Sequence, residues 1–227
     1  MNESRHPRRR ARRQLFASAL LGVLVPMPPA EAHPHIFVDT EIGFVVGAGQ
    51  VLEALQITWR FDAFHTLYTL AAEGIARDAD GGLADADSAF LAEQYADWSP
   101  GFDGFAKLLS GGDSVALDTP AGLEVDLADD MLRVRFTRQV IEPIALAAGE
   151  AEISVYEGTY YYAATVAAMP EIHGEAAGCG VRMELFDPNN VELAAVQTSL
   201  MALSREETPE NPSIGALFAD RVFLACD

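Results

Sequence analysis

The sequence has little positive charge. It contains 15 Lys and Arg residues against 34 Asp and Glu residues, so its formal net charge is −19. Six of the basic residues precede position 14, which leaves 9 basic and 32 acidic residues after position 32, a net charge of −23. Such an acidic chain repels the phosphate backbone of nucleic acids and the anionic surface of a membrane. We therefore expect neither nucleic acid nor a lipid surface as a partner.

Long apolar runs are absent beyond the first 32 residues. The one candidate, residues 15–25, follows the arginines and precedes three prolines and the tripeptide Ala30-Glu31-Ala32. A basic start, a short apolar segment and an A-x-A end are typical of a secretory signal peptide, and the run is too short to span a bilayer comfortably as a membrane anchor. We therefore predict a signal peptide over residues 1–32 and a periplasmic mature chain without membrane insertion. Residues 12–16 (RRQLF) resemble a twin-arginine motif. The sequence therefore leaves two export routes open, the twin-arginine route and the ordinary secretory route.

Cysteine is scarce, and both cysteines lie after the predicted signal peptide. An even number in an oxidising compartment predicts one disulfide bond, between Cys179 and Cys226. The alternative is a thiolate metal site. Neither cysteine has a neighbour at ligand spacing such as CxxC, which favours the disulfide.

The hydrophobic pattern predicts the fold class. Alternating apolar residues over 35–46 and 51–61, separated by a glycine-containing turn, predict a β-hairpin. Asp62 is placed to cap a following helix. We predict an α+β fold, a mainly antiparallel sheet with a helical insert over about 62–110 after the first β-hairpin, in a single domain over 33–227. The predicted helices are 63–76, 87–97, 102–110 and 190–203, and the later strands are 114–118, 122–128, 131–140, 150–157, 160–168, 180–186 and 221–225.

Signal cleavage after Ala32 would create a metal-binding arrangement. The mature chain would then begin His33-Pro34-His35, and an N-terminal histidine offers both its α-amine and its imidazole to one metal ion. His33 and His35 are two residues apart, so in an extended chain both rings face the same side. An α-amine has a pKa near 8, so a transition metal can displace its proton at neutral pH. The two histidines therefore predict a histidine brace; the alternative is an N-terminus of no special role.

Two further histidines are candidates for a third ligand. His65 lies in the first predicted helix, which could return it toward the N-terminal strand, and His173 lies in a loop between glycines. Carboxylates at Asp62, Glu157 or Glu175 are the oxygen alternatives. A lone histidine on a helix is more often a structural hydrogen-bonding residue. The sequence predicts one divalent transition metal and does not choose among zinc, copper, nickel and cobalt.

Motifs of common enzyme classes are missing. The chain has no Walker loop, no G-x-S-x-G, no H-E-x-x-H and no G-x-G-x-x-G before a helix. Residues 154–162 form an aromatic-rich segment that could line a pocket or build a sheet core. We expect a protein that is not an enzyme, with a metal ion as its ligand.

Four segments resemble a known family. They are residues 33–39 (HPHIFVD), 59–64 (WRFDAF), 155–161 (VYEGTYY) and 215–220 (GALFAD), the last of these shortly before Cys226. They are similar to an exported family labelled as periplasmic components of ABC-type transport systems, whose shared domain has no assigned function. Its members are often encoded beside nickel/cobalt-type permeases, so the resemblance implies metal handling and a membrane permease as partner.

The sequence thus predicts a periplasmic protein that delivers or buffers a transition metal for a membrane transporter. The enzymatic alternative is a brace-type copper oxidoreductase, and the third alternative is a structural or interaction domain.

Overall fold

The computed structural model describes residues 34–204 and 207–227. The predicted signal peptide and His33 lie outside these residues. No helix in the described part of the chain is long and apolar enough to cross a membrane. The secondary structure consists of β1 (Ile36–Gly47), β2 (Val51–Phe61), α1 (Ala63–Glu73), α2 (Asp85–Ala96), β3 (Ala106–Ser110), β4 (Asp113–Val115), β5 (Ala121–Ala128), β6 (Met131–Ala145), β7 (Ala151–Val155), β8 (Tyr162–Val166), β9 (Glu171–Gly174), β10 (Cys179–Glu184), α3 (Ala194–Met201) and β11 (Asp220–Cys226).

The strands in the described residues form two sheets. The first has the order β5-β6-β2-β1-β8, and β9 also pairs with β1, farther along the same edge. The second has the order β10-β11-β7-β3-β4. Most pairings are antiparallel, whereas β8 and β9 run parallel to β1. The predicted α+β class, with helices inserted after the first hairpin, is confirmed.

Alternation along β1 and β2 explains the central hairpin. Val38, Thr40 and Ile42 point inward and are buried, and their partners Phe61, Trp59 and Ile57 on β2 are buried as well. Inward-facing side chains of both sheets belong to one cluster of buried apolar residues. Burial of each large apolar side chain contributes about 1.5–3 kcal/mol to the free energy of unfolding, so this cluster is the main source of stability.

Asp220 joins the two sheets through its buried carboxylate. This residue begins β11, in the second sheet, and is only 4% exposed. Its Oδ2 accepts a hydrogen bond from the Val166 N–H at the end of β8, at 2.7 Å, and its Oδ1 accepts one from Phe186 N–H, also at 2.7 Å. The carboxylate thereby links the end of β8 and the segment after β10 to the start of β11.

Two sequence predictions are corrected by the structure. Residues 102–110 do not form a helix, because Gly104 and Phe105 have positive φ angles of 68° and 62° and 106–110 instead pairs with β7 as β3. The segment around His173 is not a loop, because β9 pairs in parallel with β1. The other predicted elements occur with bounds shifted by a few residues. α1, for example, ends at Glu73, and Gly74 caps it in the left-handed conformation that is typical of a helix C-terminus.

Candidate functional site

The start of β1 is held in place by the loop before β8. The His35 N–H donates to the Tyr161 carbonyl oxygen at 2.9 Å, and the two rings lie 4.7 Å apart between centroids. In the parallel register, Ile36 lies beside Tyr162. His35 and Tyr161 therefore sit side by side where the described chain begins.

Asp62 connects this strand to the first helix. Its Oδ1 accepts a hydrogen bond from the His65 N–H at 2.8 Å, which caps α1, and its Oδ2 accepts one from the Phe37 N–H at 2.8 Å. The Asp62 N–H in turn donates to the Phe37 carbonyl oxygen. One carboxylate thus fixes both the beginning of the helix and the strand position two residues after His35.

Glu157 organises the loop that contacts His35. Its carboxylate accepts hydrogen bonds from the Thr159 N–H, the Thr159 hydroxyl and the Tyr161 N–H, at 2.8–3.0 Å. The loop also packs against the 3₁₀ segment Ile214–Phe218, where the Gly215 N–H donates to the Gly158 carbonyl oxygen at 2.8 Å. Direct contacts therefore link each of the four segments that carry the family resemblance to another of them.

His65 and His35 have different ring neighbours. The His65 ring packs against the buried Phe61, with 4.6 Å between the ring centroids, and its Nε2 lies 3.4 Å from the hydroxyls of Tyr95 and Thr69. The His35 ring packs on the Tyr161 ring, which lies 5.4 Å from the Tyr162 ring. None of these contacts joins the two histidines.

His173 lies far from His35 along the same strand. It pairs with Val45, ten residues beyond His35, which corresponds to roughly 30 Å at the rise of a β-strand. Its Nε2 lies 3.5 Å from a carboxylate oxygen of Glu171, beside a small cavity of about 140 Å³. Within the described residues, no group of three or more His, Cys, Asp or Glu side chains is arranged to hold a metal ion. The structure therefore does not support His65 or His173 as ligands of one ion with His35.

Cys179 and Cys226 form the predicted disulfide bond. They lie directly opposite each other on β10 and β11. The bond joins the edge strand of the second sheet to the last strand, about 50 residues later in the chain. Both sulfurs are consumed, so a thiolate metal site is excluded at this position.

A large cavity opens between the helical insert and the core. Its volume is about 400 Å³, within the range of small-molecule sites. α1 and α2 contribute most of its polar side chains, and the segment after α2 and the strands contribute most of its aromatic wall. The aromatic lining residues are Trp59, Phe61, Tyr95, Trp98, Phe102, Phe105 and Tyr162.

The polar groups of this cavity are concentrated on one side. The His65 Nε2 lies 3.4 Å from both the Tyr95 hydroxyl and the Thr69 hydroxyl. Burial lowers the pKa of His65, opposed by the nearby Asp62 carboxylate. Burial raises the pKa of Tyr95 well above its usual range. At neutral pH this group of side chains is therefore uncharged.

The chain is similar to known proteins over nearly its whole length. The model of the family described as "Protein of unknown function (DUF1007)" matches residues 18–226. The chain belongs to this family. A Haemophilus influenzae protein described as "Uncharacterized protein" is 21% identical over 215 residues, which cover 92% of this chain and 98% of that protein. The similarity therefore includes the hairpin, the helical insert and both sheets.

Sequence reasoning did not find the cavity of this DUF1007 protein. The segment 154–162 was a candidate pocket wall, and Tyr162 does line the cavity. The available signal was the density of aromatic residues over 95–105, where Tyr95, Trp98, Phe102 and Phe105 occur within eleven positions. The predicted helices 87–97 and 102–110 contain Tyr95, Phe102 and Phe105. In the structure a turn at Pro100-Gly101 folds this segment back over Trp59, whose ring lies 5.2 Å from that of Phe105 and 6.0 Å from that of Trp98.

Proposed function

We propose that this protein is an exported transition-metal-binding protein whose site forms from His33 and His35 when the signal peptide is removed. The observation that carries the proposal is the fixed position of His35. Its backbone is hydrogen-bonded to Tyr161 and its ring packs on the Tyr161 ring, at the start of a strand that Asp62 anchors. A pre-positioned imidazole two residues from a new N-terminus lowers the ordering cost of binding an ion.

Three nitrogen donors are available without any other residue. Two residues span at most about 7 Å, so the α-amine and the imidazole of His33 can reach an ion bound to the His35 ring. Nitrogen donors suit zinc, copper, nickel or cobalt, whereas calcium and magnesium prefer oxygen. Metal binding requires deprotonated donors, so affinity should fall at acidic pH.

Glu157 is a positioning residue in this proposal. It accepts the Tyr161 N–H, and the Tyr161 carbonyl accepts the His35 N–H. The loop conformation set by Glu157 therefore determines where the His35 ring lies. Its carboxylate already accepts three hydrogen bonds, so we assign it no role as a ligand.

Delivery of the metal to a membrane transporter is the second part of the proposal. It rests on the resemblance to periplasmic components of transport systems encoded beside nickel/cobalt-type permeases. Exposed apolar side chains surround the anchored strand start: Phe37 is 56% exposed, and Phe64 and Tyr68 on α1 are 69% and 64% exposed. Exposed apolar groups of this kind are common at sites of protein association.

Isothermal titration of the mature chain with Zn²⁺ and with Cu²⁺ tests the metal site. His33→Ala and His35→Ala should each weaken binding tenfold or more, about 1.4 kcal/mol. His173→Ala is the matched control, because it removes an imidazole about 30 Å from His35 along β1, and its affinity should equal that of the unchanged protein. Equal affinity in the double variant His33→Ala/His35→Ala and the unchanged protein would refute the proposal.

A further inference from the structure

We propose that the aromatic cavity between the helical insert and the first sheet binds an organic cation, an amine or quaternary ammonium compound. This proposal does not depend on the proposed metal site, because His35 is not among the residues that line the cavity.

The wall of the cavity suits a cation. Aromatic faces attract an ammonium group that lies within about 6 Å of the ring centroid, and tryptophan does so best. Tyr95, Phe102 and Tyr162 line the cavity and are only partly buried. Trp98 also lines it, and one face of its ring stacks on the buried Trp59 at 6.0 Å. The Trp98 indole is held by a hydrogen bond from its Nε1 to the Tyr95 carbonyl oxygen at 2.8 Å, so its orientation is fixed.

The charges around the cavity have one sign. Glu73 at the end of α1 and Asp97 just after α2 are exposed and line its edge, and none of the described lining residues is Lys or Arg. Arg138 lies over the Trp98 ring, 5.0 Å from its centroid, but lines a different cavity. Since burial keeps His65 neutral at neutral pH, the carboxylates are the formal charges that a ligand meets.

Tryptophan fluorescence gives a direct readout, because the two tryptophans of the chain both line the cavity. The first probe is choline, compared with its neutral isostere 3,3-dimethylbutan-1-ol and with the anion 3,3-dimethylbutanoate. The second is the larger cation benzyltrimethylammonium. Titrations use the mature chain in the presence of EDTA, so that a bound metal ion does not contribute.

We expect a saturable fluorescence change with the cations, with a half-saturating concentration about tenfold lower for choline than for its neutral isostere. The double variant Glu73→Gln/Asp97→Asn should weaken choline binding and leave binding of the alcohol unchanged. Glu93→Gln on α2 is the control, because it removes one charge from an exposed position that does not line the cavity. Equal or tighter binding of the neutral or anionic probe, or no saturable change with either cation, would overturn the proposal.

Discussion

At the scale of single residues, His65 illustrates how a local contact sets a side chain's chemistry. Its backbone N–H is capped by Asp62, while its ring lies between Phe61 and the hydroxyls of Tyr95 and Thr69. Burial disfavours the charged imidazolium, and the Asp62 carboxylate only partly compensates, so the pKa of His65 is lowered. The side chain contributes a neutral polar surface to the cavity.

The lowered pKa makes stability depend on pH in a defined direction. Below the ordinary value of 6.5 the unfolded chain takes up a proton at this imidazole before the folded protein does. Stability therefore falls as the pH drops from 6.5 to the folded pKa. The free energy of unfolding can be measured with urea at pH 7 and at about pH 5 for both proteins. Its decrease from the higher to the lower pH should be smaller in His65→Gln than in the unchanged protein. An equal or larger decrease in the variant would contradict the assigned environment.

At the scale of elements, the close contact between the 157–161 loop and the Ile214–Phe218 segment fixes the surroundings of His35. The Tyr160 ring stacks on the Phe218 ring at 4.2 Å. A Cβ atom at Gly215 would lie 1.8 Å from the Glu157 carbonyl oxygen, so only glycine permits this approach.

Gly215→Ala should therefore destabilise the protein. The added methyl group meets backbone and not a flexible side chain, and overpacking of this kind costs about 1–3 kcal/mol. Gly180→Ala is the matched control, since a Cβ there meets nothing within 4 Å, and its stability should be unchanged or slightly raised. Equilibrium unfolding in urea measures both, and equal stability of the two variants would contradict the described contact.

The sequence could predict those elements that are specified by local patterns, such as apolar alternation or a capping residue. Strict alternation predicted β1, β2 and β6, and Asp62 predicted the start of α1. β3 was mistaken for a helix because its strand character depends on pairing with β7, more than 40 residues later. The cavity was not predicted for the same reason: Trp59, Tyr95 and Tyr162 are distant in sequence, and only the tertiary fold brings them together.

At the scale of the whole molecule, the disulfide closes the second sheet. Cys179 and Cys226 are 47 residues apart, and a loop of this length contributes about 4 kcal/mol in the chain-entropy model. The predicted pairing of Cys179 with Cys226 is confirmed by the disulfide bond in the structure. α3 and the segment before β11 lie within the closed loop.

Cys226→Ser should lower the free energy of unfolding by about 2–5 kcal/mol. Urea unfolding measures this decrease in stability. The unchanged protein should lose a similar amount of stability when its disulfide bond is reduced, because it then lacks the same covalent link. Thiol labelling of the unfolded, unreduced protein should detect no free cysteine. Labelling of both cysteines would show that the bond does not form.

We propose that removal of the predicted signal peptide creates a metal site at the N-terminus. The most direct measurement is the affinity for Zn²⁺ and Cu²⁺ of the chain that begins at His33, compared with the same chain extended by Ala32 alone. The extension keeps both imidazoles and moves the α-amine out of chelating position. We predict at least about tenfold weaker binding by the extended chain. Equal affinity of the two chains would show that the amine is not a ligand and would contradict the account.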